Sequence, residues 1–148
     1  MNSFTLPVEI RWSDLDPNFH LRHSVYYDLG AYSRINYLNR HGITAGFMRE
    51  HHFGPIIFRE EALFRKELKL EDSVTIDVSL MKASRDFGKW TMQHNIYKNG
   101  DTLSAIITLD GAWIDIEKRK LTIPPAKVME GFEEMPKAVS FEWIEKKA

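Results

Sequence analysis

The stretch WTMQHNIYKNGDTLSAIITLDGAWI (residues 90–114) predicts an antiparallel β-hairpin. Apolar and polar residues alternate over residues 90–97 and again over residues 103–109, which is the period-2 pattern of a strand. Asn99-Gly100 lies between the two runs, and this pair is a strong hairpin signal because both residues tolerate the positive φ of a tight turn. Beyond Gly111 the apolar phase shifts, which predicts a β-bulge at this glycine.

The sequence on the N-terminal side of the hairpin predicts two further strands and one long helix. Alternation over residues 74–81 predicts a third long strand, and Phe4 to Trp12 a short first one. Between them, residues 24–41 have the pattern of a helix, with Ser24 as N-cap and Gly42 as terminator. The apolar residues of this helix do not form one narrow stripe, so we expect it to be covered on several sides.

Two segments are less clear. Ile56 to Leu70 contains many good helix formers, but its apolar residues fall on even positions. We favour a strand, because a long antiparallel sheet needs another member here. The tail from Pro124 to Ala148 is expected to be irregular, with a short helix over residues 126–132. The predicted class is α+β, an antiparallel sheet with one long helix against it.

Composition restricts the classes of function. The 148 residues, of which 43% are hydrophobic, fit a single folded domain over residues 1–148. A net charge of −1 argues against a dedicated nucleic-acid binder. The absence of cysteine excludes disulfides and a thiol nucleophile. No signal peptide or membrane span is evident, so we expect a cytoplasmic protein that does not bind membranes.

The segment WSDLDPNFHLRH (residues 12–23) concentrates the groups that can do chemistry. Asp16 can act as a general base or a nucleophile, although an Asp-Pro pair also simply forms turns. Asn18 can orient a water, and His20 can polarise a carbonyl or carry a proton. The backbone N–H groups from His23 to Val25 lie at the start of the predicted helix, where they can receive an oxyanion.

A metal site is not expected in this loop. His20 and His23 are three residues apart, a spacing that two metal ligands can share, but no further ligand set accompanies them. We therefore do not expect a metal ion here.

The longer segment RWSDLDPNFHLRHSVYY (residues 11–27) resembles the start of the hotdog-fold thioesterases, most closely the acyl-acyl carrier protein thioesterases. The 4-hydroxybenzoyl-CoA type thioesterases share the same opening of strand, Asp loop and helix. Further along, KELKLEDSVTIDVSL looks like the family's strand, acidic turn and strand, which places Arg59 to Leu70 in a strand. The resemblance covers about residues 4–118 and leaves residues 119–148 as a C-terminal extension.

The resemblance implies a central helix wrapped by an antiparallel sheet of about five strands, and hydrolysis of an acyl thioester. The substrate would be an acyl-CoA or an acyl-carrier protein. Two domains would pair, giving a homodimer or a tetramer of dimers, with the site at their interface. No cofactor or metal is implied.

The resemblance also assigns roles to residues of the loop and the helix start. Asp16 is implied as the catalytic carboxylate, Asn18 and His20 as its partners, and the helix start near His23 as the group that polarises the thioester carbonyl. The substrate-binding positions that we expect are Ser24, Val25, Tyr26 and Arg59. This chain departs from the family pattern in having Phe19 where many members have glycine, and Arg22 and His23 where amides are common.

Two other functions are compatible with the same sequence. One is an enoyl-thioester hydratase on the same fold, and the other is a non-catalytic acyl-thioester binding domain. Asp28 is a secondary candidate carboxylate, for which we favour stabilisation of the helix dipole in the first turn.

Overall fold

One sheet of eight strands curls around a long helix in the computed structural model, which describes residues 3–145. The strands are β1 (Thr5–Val8), β2 (Phe53–Phe64), β3 (Val74–Asp77), β4 (Ser79–Ser84), β5 (Lys89–Lys98), β6 (Thr102–Asp115), β7 (Lys120–Leu121) and β8 (Lys137–Ile144). The helices are α1 (Val25–Arg40), α2 (Ala45–Glu50) and α3 (Ala126–Glu134). The predicted α+β class and the hotdog architecture are confirmed, but the sheet has eight strands rather than about five.

Strand β5 lies in the middle of the sheet. It pairs with β6 on one side and with β3 and then β4 on the other. β1 continues the sheet beyond β3, and β2 pairs with β6 at the opposite margin. Within residues 3–145, β2 has no strand on its other side, so it presents a free edge.

The predicted hairpin is confirmed as β5 and β6. Lys98 and Thr102 form its last pair, and Asn99 and Gly100 take φ values of 51° and 100° in the turn. Gly111 is not the extra residue of a bulge, because it pairs in regular register with Trp90. A bulge does lie opposite it in β2, between Ile57, which pairs with Gly111, and Arg59, which pairs with Asp110.

A different constraint explains the glycine at position 111. A Cβ there would lie 2.6 Å from the carbonyl oxygen of Ile56 and would collide with the Trp90 ring. The sheet has two further irregularities: β4 shifts register between Leu80 and Lys82, and β6 carries an extra residue, Ser104, opposite the step from Ile96 to Tyr97.

Four predicted segments differ from the structure. The single strand predicted over residues 74–81 is interrupted at Val78 and forms β3 and β4. The first strand ends at Val8 rather than Trp12, and β2 is a strand as favoured but ends at Phe64 rather than Leu70. The tail forms the expected short helix, α3, but it is not otherwise irregular, since β8 pairs in parallel with β4. The C-terminal extension also joins the core: Val128 and Phe132 of α3 are buried in the main hydrophobic cluster.

Helix α1 lies against the concave face of the sheet with one face only. The face opposite the sheet exposes Tyr32 and Ile35, with 46% and 38% of their surface accessible. The expected covering on several sides is therefore not found in the single chain. No helix among residues 3–145 is long and apolar enough to cross a membrane.

A buried chain of hydrogen bonds anchors the middle of α1 to the sheet. Arg34 Nη1 lies 3.0 Å from His94 Nε2, and His94 Nδ1 lies 2.8 Å from the carbonyl oxygen of Asp77. Because a guanidinium only donates and a carbonyl only accepts, His94 is neutral with its proton on Nδ1. Burial, and next the charge of Arg34, lower the pKa of His94 to about 3.

This anchor predicts a loss of stability in mild acid. Because the pKa of His94 is about 3 in the folded protein and about 6.5 in the unfolded chain, only the unfolded chain takes up the proton between these values. The contribution is fully present above pH 6.5 and is lost toward pH 3, with a slope approaching about 1.4 kcal/mol per pH unit. We expect His94→Gln to flatten the pH dependence of the free energy of unfolding in urea titrations. Equal slopes for the two proteins would contradict the assignment.

Candidate active site

The loop between β1 and α1 begins with a 3₁₀ turn that Asp14 stabilises. Asp14 is buried and accepts hydrogen bonds from the side chain and the backbone N–H of Arg11, at 2.9 to 3.2 Å. The Arg11 guanidinium holds the pKa of Asp14 below its usual value. Asp14 is therefore committed to the shape of the turn.

Asp16 closes a second turn with its side chain. Its Oδ1 atom accepts the backbone N–H groups of Asn18 at 2.9 Å and His20 at 3.2 Å. Within residues 3–145, Oδ2 of this carboxylate accepts no hydrogen bond, so this oxygen is available to a substrate or a water. The loop thus fixes the position of a carboxylate through one oxygen and leaves the other oxygen without a hydrogen bond from the part of the chain that the structure describes.

A cleft of about 460 Å³ opens beside Asp16. It is lined by Asp16, Asn18, His20, Leu21, His23, Tyr26, Phe64, Arg65, Lys66 and Glu67. All four predicted catalytic residues, and Tyr26 among the predicted binding residues, therefore lie around one cavity. Tyr26 is mostly buried, and burial raises the pKa of its hydroxyl group.

The residues that follow β2, Arg65 to Glu67, form the side of the cleft opposite the Asp16 loop, which we call the far wall. Ser104, the extra residue of β6, holds the far wall in place. The Ser104 carbonyl accepts the N–H groups of Arg65 at 2.8 Å and Lys66 at 3.0 Å. The Ser104 hydroxyl in turn donates to the carbonyl of Lys66 at 2.7 Å. The next residue, Glu67, reaches across the cleft to His20, with 3.2 Å between Oε2 and Nε2.

Arg65, Lys66 and Glu67 were not among the predicted site residues. The apolar alternation of β2 predicts a strand through Leu70, and such a strand would carry these residues away from the loop. No motif in the sequence signals that the strand ends at Phe64.

The structure places the other predicted binding residues outside the cleft. Ser24 precedes α1 without capping it, and its Oγ accepts a hydrogen bond from Arg22 Nε at 3.1 Å. Val25 is buried in the core, and its N–H already donates to the carbonyl of Arg22 at 3.0 Å. Arg59 pairs with Glu61, at 2.6 Å between Nη2 and Oε2.

The start of α1 nevertheless faces the cleft through His23 and Tyr26. Since the first N–H groups of a helix have no carbonyl partner inside the helix, the turn after Val25 presents donors and a positive dipole end. A carbonyl oxygen in the cleft would meet that end. No group of three or more His, Asp or Glu side chains within residues 3–145 is arranged to hold a metal ion.

The curled sheet, the central helix and the carboxylate-bearing loop before it define a hotdog-fold protein. The model of the Thioesterase-like superfamily matches residues 10–132, which is most of the chain. The chain therefore belongs to the thioesterase-like superfamily. None of the curated proteins matches it.

Several solved structures share the fold at low sequence identity. The DHNA-CoA thioesterase from Staphylococcus aureus superposes with a TM-score of 0.80 at 14% identity, covering 90% of this chain and 91% of that one. A 1,4-dihydroxy-2-naphthoyl-CoA thioesterase from Synechocystis gives 0.80 at 13%, covering 89% and 96%. A thioesterase from Thermus thermophilus, complexed with coenzyme A and Zn, gives 0.73 at 24%, covering 89% and 92%.

The role of Ser104 in the cleft wall leads to a prediction. Ser104→Ala removes a buried hydroxyl that donates to Lys66, and we expect it to lower the free energy of unfolding by about 1–3 kcal/mol. It should also speed hydrogen exchange at the amides of residues 65–67. Ser33→Ala is the matched control, because Ser33 is equally buried and donates to the carbonyl of Asp77 at 3.1 Å. Ser33→Ala should lose similar stability without faster hydrogen exchange at the amides of residues 65–67. Unchanged exchange at these amides in Ser104→Ala would refute the role of Ser104 in holding the wall.

Proposed function

We propose that this protein hydrolyses acyl thioesters of CoA or of an acyl carrier protein to a free acid and a thiol, with Asp16 as the catalytic carboxylate. The observation that carries the proposal is the geometry of Asp16. Its side chain is fixed by two backbone hydrogen bonds, has one oxygen available, and lines a cleft at the start of α1. Membership of the thioesterase-like superfamily supports the same reaction class.

The chemistry follows from the groups around the cleft. As general base, Asp16 takes a proton from water while the water oxygen bonds to the thioester carbonyl carbon. The negative charge that develops on the carbonyl oxygen is stabilised by the N-terminal end of α1. When the C–S bond breaks, the leaving sulfur takes the proton that Asp16 removed from the water, relayed through His20, which Glu67 orients. The transfer leaves both Asp16 and His20 in their starting states. Asn18 contributes an amide that orients the attacking water.

Asp16 can alternatively act as the nucleophile, forming an acyl-carboxylate anhydride that water then hydrolyses. A single turnover in H₂¹⁸O separates the two mechanisms. Direct attack by water puts the label only in the product acid, whereas attack of water on the Asp16 carbonyl of the anhydride leaves it in Asp16.

A homodimer is the second element of the proposal. The free edge of β2 is lined by exposed apolar side chains, namely Ile57, Phe58, Leu63 and Phe64. An unpaired strand edge with such side chains is a template for a second strand. Around a two-fold axis, the unpaired N–H and C=O groups of two β2 strands can form hydrogen bonds with each other. Because Phe64 also lines the cleft, the partner subunit would lie beside the catalytic carboxylate.

The catalytic role of Asp16 is tested by Asp16→Asn. The asparagine keeps an oxygen that accepts the two backbone N–H groups of the turn, but it cannot take a proton. We expect kcat to fall by at least about 100-fold in a thiol-release assay over acyl-CoAs of varied chain length and aryl-CoAs. Asp101→Asn, an exposed change in the hairpin turn, should leave kcat unchanged.

The same assay separates the alternative functions. Full activity of Asp16→Asn on each substrate that the wild type hydrolyses would remove Asp16 from the mechanism. Addition of water to an enoyl chain without release of thiol would indicate a hydratase. Tight binding of acyl-CoA with no turnover would indicate a binding domain.

The dimer is tested by a charge on the free edge. We expect the wild type to sediment as a dimer or a tetramer of dimers, and Ile57→Lys to shift it toward monomer. Ile123→Lys is the control, since Ile123 is at least as exposed but lies away from β2. A wild type that sediments as a monomer at micromolar concentration would exclude this interface.

A further inference from the structure

A second, smaller hollow adjoins the catalytic cleft. Its volume is about 270 Å³, and it is lined by Trp12, Leu15, Asn18, Phe19, His20, Lys69, Leu70 and Glu71. We call it the aromatic hollow. Asn18 and His20 line both cavities, so the aromatic hollow continues the cleft along the far wall. Its volume is below that of pockets that take a whole drug-sized ligand, so it fits one group of a larger one.

Large apolar side chains at this hollow are exposed to solvent. Trp12 exposes 68% of its surface, Phe19 63% and Leu70 42%. The Trp12 and Phe19 rings are 6.1 Å apart between centroids and inclined by 46°, so they meet at an angle rather than stacking on each other. Both rings therefore keep surface available for a ligand.

The backbone of Phe19 adds an independent observation. Its φ is +64°, in the left-handed region, because the Asp16 turn and the Asp16–His20 hydrogen bonds require that conformation here. A bulky aromatic residue pays free energy for this conformation, whereas glycine adopts it freely. The loop's own packing uses little of the ring, since most of it is exposed. An outlier of this kind beside a reactive carboxylate points to a use for the side chain.

We propose that the aromatic hollow binds the nucleotide base of a CoA thioester, and that this chain thereby prefers CoA substrates over carrier-protein substrates. This inference rests on the proposed function, because it places the thioester carbon at Asp16 and the base further along the same groove. Exposed aromatic faces are the usual platforms for bases, which all present a π-face. A carrier protein presents the same pantetheine arm without a base.

The charged groups around the hollow fit a nucleotide. Lys69 lines the hollow, and Arg65 and Lys66 follow the same wall, so cations are within reach of the phosphates that connect the base to the pantetheine arm. Glu71 also lines the hollow and supplies a carboxylate that accepts an N–H of an exocyclic amine.

The test compares one acyl group on two carriers. For Phe19→Gly and Trp12→Ala, we expect KM for the acyl-CoA to rise at least about tenfold with kcat unchanged. KM for the same acyl group on pantetheine, which has no base or phosphate, should stay at the wild-type value. Phe19→Gly should also melt at or above the wild-type temperature, because glycine relieves the backbone strain. Ile123→Ala, an exposed apolar change away from both cavities, should alter neither KM.

Several outcomes would overturn the inference. Equal changes in KM for acyl-CoA and acyl-pantetheine would mean that the rings shape the loop or hold the acyl arm. A change in the sedimenting species in either variant would make the hollow an interface between copies of this chain. If the wild type hydrolyses no thioester, the proposed function fails, and calorimetric titration with free CoA and with pantetheine still decides this inference. The wild type should bind CoA more tightly than pantetheine, and Phe19→Gly should remove that difference.

Discussion

The buried hydrogen bonds through His94 fix α1 on the sheet, and the position of the cleft depends on them. Arg34 donates to one ring nitrogen, and the other donates to the Asp77 carbonyl, so the middle of the helix has one register. The helix start lies nine residues before Arg34, about 14 Å along the axis at 1.5 Å per residue. Because a helix is stiff over that length, the anchor also places the loop that carries Asp16. On the opposite side, Ser104 places the far wall with hydrogen bonds of its own.

The parts of the fold that local sequence determines were predictable. The hairpin follows from alternation and Asn99-Gly100, and the end of α1 follows from Gly42, whose φ is 78°, since each depends on neighbouring residues. Two features depend on distant residues and were missed. β2 ends where the Ser104 carbonyl captures two consecutive N–H groups, and β8 is an edge strand whose burial does not alternate. Pairing with β4, about 60 residues earlier, makes β8 a strand.

The residues of the candidate site also fall into those that the sequence identified and those that it did not. The loop carries its own chemistry, so Asp16, Asn18 and His20 could be named from the sequence, and the structure gathers them around one cleft. Glu67 and its neighbours on the far wall could not be named, because their place depends on the bulge in β6. Phe19 differs from both groups, because the loop places this aromatic residue at a positive φ that bulky side chains normally avoid. Such violations concentrate at functional sites, where side-chain use outweighs local strain.

The proposed reaction requires the thioester carbon to be held against Asp16 in the cleft at the start of α1. The most direct measurement is a crystal structure of the protein with a non-hydrolysable acyl-CoA thioether. We expect the carbon that replaces the thioester carbonyl to lie within about 3–3.5 Å of an Asp16 carboxylate oxygen or of a water bound to it. If the acyl-CoA analogue occupies another cavity and leaves the cleft beside Asp16 to solvent, Asp16 is not the catalytic carboxylate.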